Sequence, residues 1–282
     1  MSEMQASGPK EYLRFSRVNR VLHIVMIVSF ISLAMTGMTL KFSYTGWAAA
    51  MSHLMGGYES AGFVHRLAAT AMILAFIVHL GDLIHRKRTE FGSWKKLLFG
   101  PDTMLPTKKD LRDVVGSVKW FLGKGPRPQY GRWTYWEKFD YFAVFWGMMV
   151  IGSTGLTLWF PEFFTRFMPG EFLNVATIVH SDEALLATGF IFTIHFFNTH
   201  LRPEKFPMDT VVFTGRMSVE ELKMDKPAEY EELVRTGRLE QYLVDPYPPV
   251  VIKAARAFGW TALAIGFSIV LWILYAMIFA YR

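Results

Sequence analysis

The chain has 282 residues, of which 52% are hydrophobic and 16% aromatic, with a formal net charge of +6 and no cysteine. That apolar content points to a membrane protein, and the lack of cysteine excludes disulfides, iron–sulfur clusters, thiolate metal sites and any CxxCH attachment. Histidine and methionine remain as possible holders of a redox centre, and the positive charge, lying between apolar runs, reads as a topology signal rather than a nucleic-acid footprint.

Residues 1–20 form a polar lead-in with Arg14, Arg17 and Arg20 at helical spacing, expected at the membrane surface. No apolar core followed by a small-residue cleavage site precedes the first span, so that span is expected to act as its own insertion signal. The first span covers 21–40, close to the ~20 residues that ~30 Å of hydrocarbon requires. After a Gly, Ser and Ala-rich turn at 41–62, the second span covers 63–84. A long basic loop, 85–138, contains DLRDVVGSVKWFLG (Asp110 to Gly123), which reads as a short amphipathic helix lying on the interface. The third span covers 139–160 and stops at Pro161; the fourth covers 175–197. Residues 201–257 are a polar excursion with a charged helical stretch, SVEELKMDKPAEYEELVRTGRLEQYL, and 258–282 is the fifth span.

Lys and Arg number 4 in the lead-in, 1 between the first two spans, 13 in the next loop, 1 between the third and fourth spans, and 9 in the last loop. By the positive-inside rule the N-terminus and the two basic loops are cytoplasmic and the C-terminus periplasmic, in a bacterial plasma membrane.

Histidines carry the chemistry. His65 and His79 are fourteen residues apart in the second span, and His180 and His195 fifteen apart in the fourth. At the α-helical rise these pairs are roughly 21 and 22 Å apart along their helices, and within about 60° in azimuth. Both helices can therefore present two imidazoles to one partner. Two such helices side by side have the geometry of two bis-histidine haems, roughly 20 Å apart and one near each face of the bilayer. His65 with His180 is the outer pair, on the periplasmic side. His195 is one inner ligand, and its partner is either His79 or His23, which sits at the inner end of the first span. A non-haem reading is a membrane anchor or proton-relay subunit, but such relays usually include a carboxylate at depth, and the acidic residues of these spans lie near their ends.

His85 and His200, beside Arg86 and Arg202, lie one to two turns beyond the inner histidines and are candidates for a quinone pocket, where imidazole can exchange a proton with the cytoplasm. Arg17, Arg20, Arg66 and Arg132 are candidates to pair with haem propionates. An internal repeat aligns Thr36-Gly37-Met38-Thr39-Leu40 with Thr154-Gly155-Leu156-Thr157-Leu158 at an offset of 118 and brings His65 near His180 and His79 near His195.

The stretches GRWTYWEKFDYFAVFWGMMVIGSTGLTLWFPEFF, HSDEALLATGFIFTIHFFNTHLRPEKFPMD and RVNRVLHIVMIVSFISLAMTGMTLKF resemble the bacterial di-haem membrane cytochromes b. These include the gamma subunits of formate dehydrogenase and the cytochrome b partners of multihaem cytochromes c. The resemblance covers most of residues 12–245. It implies two haems b in a four-helix bundle at 21–200, a quinone site, and a periplasmic partner that is a multihaem cytochrome c or an iron–sulfur or molybdoenzyme subunit. In the formate dehydrogenase subunits one ligand comes from the first span, a pattern that matches His23 and His65 with His180 and His195. His79 departs from it, at a spacing like that in the cytochromes b of cytochrome bc complexes. The expected fold is all-α integral membrane, with four bundled spans and a fifth packed outside.

Overall fold

In a computed structural model of the protein the described residues are 9–280; the first eight residues of the lead-in and the last two of the fifth span lie outside them. Five helices are long and apolar enough to cross a membrane: Arg17–Lys41, Tyr58–Phe91, Tyr135–Trp159, Glu171–Leu201 and Pro249–Phe279. The protein is a mostly helical, multi-pass membrane protein. Each helix overruns its apolar window, because backbone hydrogen bonding continues past the point where side chains become polar. The first therefore carries Arg17 and Arg20, whereas Arg14 lies before its start.

The chain divides into two compact units. One gathers the residues up to Val21 with Gly81–Phe142 and Asp209–Arg256. Here the lead-in is more than a surface tether. Strand β1 (Glu11–Leu13) lies between β2 (Arg216–Ser218) and β3 (Leu243–Val244), antiparallel to both, with Tyr12 opposite Met217 and Leu243. Tyr12, Val211, Met217, Leu222 and Leu233 make a small apolar core under this sheet. The charged helical stretch forms two helices, Val219–Asp225 and Pro227–Arg235, with Pro227 opening the second.

A buried ionic network joins these pieces. The Tyr12 hydroxyl donates to Glu229 Oε1 at 2.8 Å, and Arg132 Nη1 donates to the same carboxylate oxygen at 2.8 Å. Arg14 bridges Glu229 Oε2 at 3.3 Å and Glu137 Oε1 at 3.0 Å. Burial and the Glu229 carboxylate raise the Tyr12 phenol well above its usual range. Burial pulls the Lys226 ammonium, paired with Glu137, down to about 8. Glu137 also accepts from the Thr134 backbone N–H at 2.7 Å, while Thr134 Oγ1 accepts from the Glu137 N–H at 3.4 Å, so a capping box fixes the start of the third span.

The other unit comprises Leu22–Leu80, Ala143–Met208 and Ala257–Arg282. The fifth span buries a stripe of Gly259, Ala262, Leu263, Gly266, Ile269, Ile273 and Ala276. A Cβ on Gly266 would come within 2.4 Å of Phe192 Cδ1, so its lack of a side chain is what lets the fourth span's Phe192 and Phe196 approach. The turn between the first two spans holds a short helix, Gly46–Leu54, whose N-terminus is capped by Thr45. Trp47 on this helix stacks on Trp272 at 5.5 Å.

Removing the Glu229 carboxylate leaves Arg14, Arg132 and Tyr12 facing one another in a buried site. Glu229→Ala is expected to destabilise the sheet-bearing unit by on the order of 3–5 kcal/mol. Faster limited proteolysis within 209–256 would register this, and wild-type proteolysis rates would refute it.

Candidate functional site

The second and fourth spans bring His65 and His180 together, with ring centroids 6.2 Å apart and planes at 73°. Each ring is held from behind by the helix that precedes its own. His180 Nδ1 lies 2.9 Å from the Ile151 carbonyl and 3.3 Å from Thr154 Oγ1. His65 Nδ1 lies 2.9 Å from Thr36 Oγ1, and His65 also hydrogen-bonds the Leu33 backbone. A carbonyl can only accept, so Nδ1 of His180 carries the proton and its Nε2 lone pair is left available. Hydrogen-bonding one imidazole nitrogen so that the other can ligate is the usual arrangement around metal-bound histidine. The spacing also fits: two metal–imidazole bonds of ~2 Å plus the ring radii span ~6 Å.

The anchoring residues sit in the repeated segments. Leu33 and Ile151, Thr36 and Thr154, and Gly37 and Gly155 are each 118 residues apart. A Cβ at Gly37 would lie 3.3 Å from His65 Cε1, and one at Gly155 only 2.9 Å from His180 Cε1. Glycine is what allows both rings to lie against the neighbouring helix. The sequence aligned these segments with one another; that the threonine and the backbone one turn before it hold the histidine was not visible there. Lys41 was missed altogether. Its Nζ donates to Ser181 Oγ at 3.0 Å and pairs with Asp182 at 2.8 Å, tying the end of the first span to the residues after His180.

A second group forms around His23, which interacts electrostatically with His195 and His200. The buried His23 Nδ1 makes no hydrogen bond, while His200 is buried to 8% exposure. His79 has different company, with its ring 6.1 Å from that of Phe145. The fourth span is π-helical over Ile191–His195 and Phe197–Leu201, so the 100° per residue used to aim His195 does not hold there. Such turns take up an extra residue and re-aim the side chains beyond it, often at functional sites.

The arginines separate. Arg66 and Arg17 are exposed. Arg20 donates to the Ser16 carbonyl and to the Tyr247 hydroxyl at 3.3 Å. Arg132 has its own partner in Glu229, which sets it in the network of the sheet-bearing unit. Arg86 pairs with Glu90 at 3.1 Å and lies over the Phe91 ring, and with His85 it belongs to the same unit as Arg132. Arg202 Nε donates to the Asn198 carbonyl.

No family model matches the chain. Over 197 residues it is 22% identical to the formate dehydrogenase cytochrome b556 subunit of Haemophilus influenzae, a likeness covering 69% of this chain and 74% of that protein. The similarity is distant.

Proposed function

We propose that the protein is the cytochrome b subunit of a bacterial respiratory complex, carrying electrons through two b-type haems between the quinone pool and a partner at the outer face. The observation that carries this reading is the facing of His65 and His180 at 6.2 Å, each with Nδ1 committed to a neighbouring helix. Imidazoles in hydrocarbon are costly, and a simple packing role would not need two of them brought within 6.2 Å of one another. His65 and His180 would hold the outer haem. His195 with His23 would hold the inner one, a choice supported by their mutual electrostatic interaction and by the unbonded His23 nitrogen. Haem, when bound, supplies one-electron chemistry at iron.

The chain's own residues then do three things. Thr36, Thr154, the Leu33 backbone and the Ile151 carbonyl orient the outer rings, and the Ile151 carbonyl holds a proton at Nδ1 of His180. Gly37 and Gly155 leave room for those rings. Arg66, next to His65 and exposed, is the propionate partner favoured by position. His200 and Arg202, next to the inner group, are the favoured quinone residues; an imidazole there can pass the quinol proton to the cytoplasmic side. The count of basic residues supports a cytoplasmic N-terminus and a periplasmic C-terminus. The relative's name supports a molybdoenzyme partner over a multihaem cytochrome c.

A pyridine haemochrome assay on the purified chain should give about two haems b, and no haem would leave the anchor or proton-relay reading. His65→Ala and His180→Ala should each remove the same haem and leave the other. His23→Ala should remove the second, whereas His79→Ala should retain both; the opposite result would exchange His23 for His79. Of the two glycines, Gly155→Ala should perturb the outer haem's low-spin spectrum more than Gly37→Ala, because its new methyl meets the ring 0.4 Å sooner, at 2.9 rather than 3.3 Å. Equal spectra in both variants would mean the rings are free to move aside.

A further inference from the structure

The helix Lys108–Phe121 is inside out. Its polar residues face its own unit: Asp110, Asp113 and Ser117 are its buried residues. Lys138, at the start of the third span, pairs with Asp110 at 2.9 Å, and Ser117 Oγ bonds the Tyr130 hydroxyl at 2.8 Å. Hydrogen bonds from Thr107 and from Lys138 hold the Asp110 carboxyl below its usual range against the opposing effect of burial. The apolar residues point away. Leu111, Val115, Val118 and Leu122 keep to helical spacing and are 69, 48, 52 and 63% exposed, with Phe121 beside them at 74%. On a helical wheel Lys108, Arg112 and Lys119 form an exposed stripe along one flank of this face.

We propose that this face is seated in the anionic lipid surface from which the third span enters the bilayer. A protein face of this kind gains little from water and much from the headgroup boundary, where apolar residues reach the acyl chains and flanking cations meet anionic headgroups. Three observations select lipid as the occupant. The Asp110–Lys138 pair ties the helix to the first turns of a membrane span, so its distance from the membrane edge is short. The stripe of three cations complements anionic headgroups. The same loop holds a second short helix of the same character, Trp94–Phe99, with Trp94 and Phe99 47 and 74% exposed beside Lys95 and Lys96. The helix would act as a stiff outrigger that fixes the depth at which the third span starts.

The chain has no cysteine, so Val118→Cys supplies a unique labelling site on the full protein in nanodiscs. A fluorophore there should lose most of its emission to brominated phosphatidylglycerol and be shielded from aqueous iodide. In phosphatidylcholine discs, or with Lys108, Arg112 and Lys119 all replaced by Gln, the lipid quenching should fall. Ready quenching by iodide with none from brominated lipid would overturn the proposal. Shielding from both quenchers would overturn it too, by identifying a protein, such as a second copy, as the molecule covering the face.

Discussion

Hydrocarbon offers an imidazole no water, and the rest of this structure can be understood from that constraint. A histidine in a membrane span must find a partner for at least one ring nitrogen or bear the cost of leaving it bare. His65 and His180 find theirs in the adjacent helix, in a threonine hydroxyl and in carbonyls one turn earlier. Fixing the proton on Nδ1 also fixes the role left to the other nitrogen, which is to accept a proton or bind a metal. The two requirements select the same geometry: a ring edge against a helix that has glycine at the contact and threonine beside it. This is why the Thr-Gly pair occurs in both the first and third spans, 118 residues apart.

The spans need fixed starting points if rings near their ends are to keep their aim. The third span begins at a capping box, and the Glu137 of that box is shared with Arg14 and Lys226. Arg14 in turn reaches Glu229, which also binds Arg132 and Tyr12. Segments far apart in the chain are thus locked together by charge within one unit. An ionic network suits the task, because its directional contacts specify one arrangement even where its net stabilisation is modest. Its burial is visible in Lys226, whose affinity for a proton is lowered although a carboxylate lies against it.

Much of the membrane part was legible in the sequence, since a span's signal is one-dimensional: enough consecutive apolar residues, bounded by charge. The five spans, and the meeting of His65 with His180, are consequences of that signal together with helical spacing. The aim of His195 is not, because α-helical arithmetic assumes 3.6 residues per turn and the fourth span winds as a π-helix over Ile191–His195. Nothing in IFTIH announces that change; it is settled by packing. The sheet was hidden for another reason. Strands of two or three residues are too short to show alternation, and their partners lie some two hundred residues apart. Arg132 looked like an anion partner, and it is one, but for Glu229: sequence reveals a cation's availability, not which carboxylate the fold brings to it.

On the proposed reading the Thr-Gly segments 118 residues apart mark two halves of a repeat that are similar without being equal, and the inequality is informative. Gly155 is held tighter against His180 than Gly37 is against His65, and only the first half has a lysine, Lys41, reaching across to the residues after the opposite histidine. Past the outer histidines the halves diverge further. The second span carries His79 against Phe145, while the fourth carries His195 toward His23. A duplicated helical hairpin would at first offer equivalent histidines at both ends. Recruiting His23 from the first span in place of His79, as proposed above, would bring in a residue whose counterpart 118 positions on, Tyr141, cannot play the same part. On the proposed reading the outer site keeps the symmetry of the repeat and the inner site gives it up. On the same reading the inner site is where π-helical turns interrupt the fourth span and where His200 is buried, the unequal surroundings that a substrate exchanging protons as well as electrons would need.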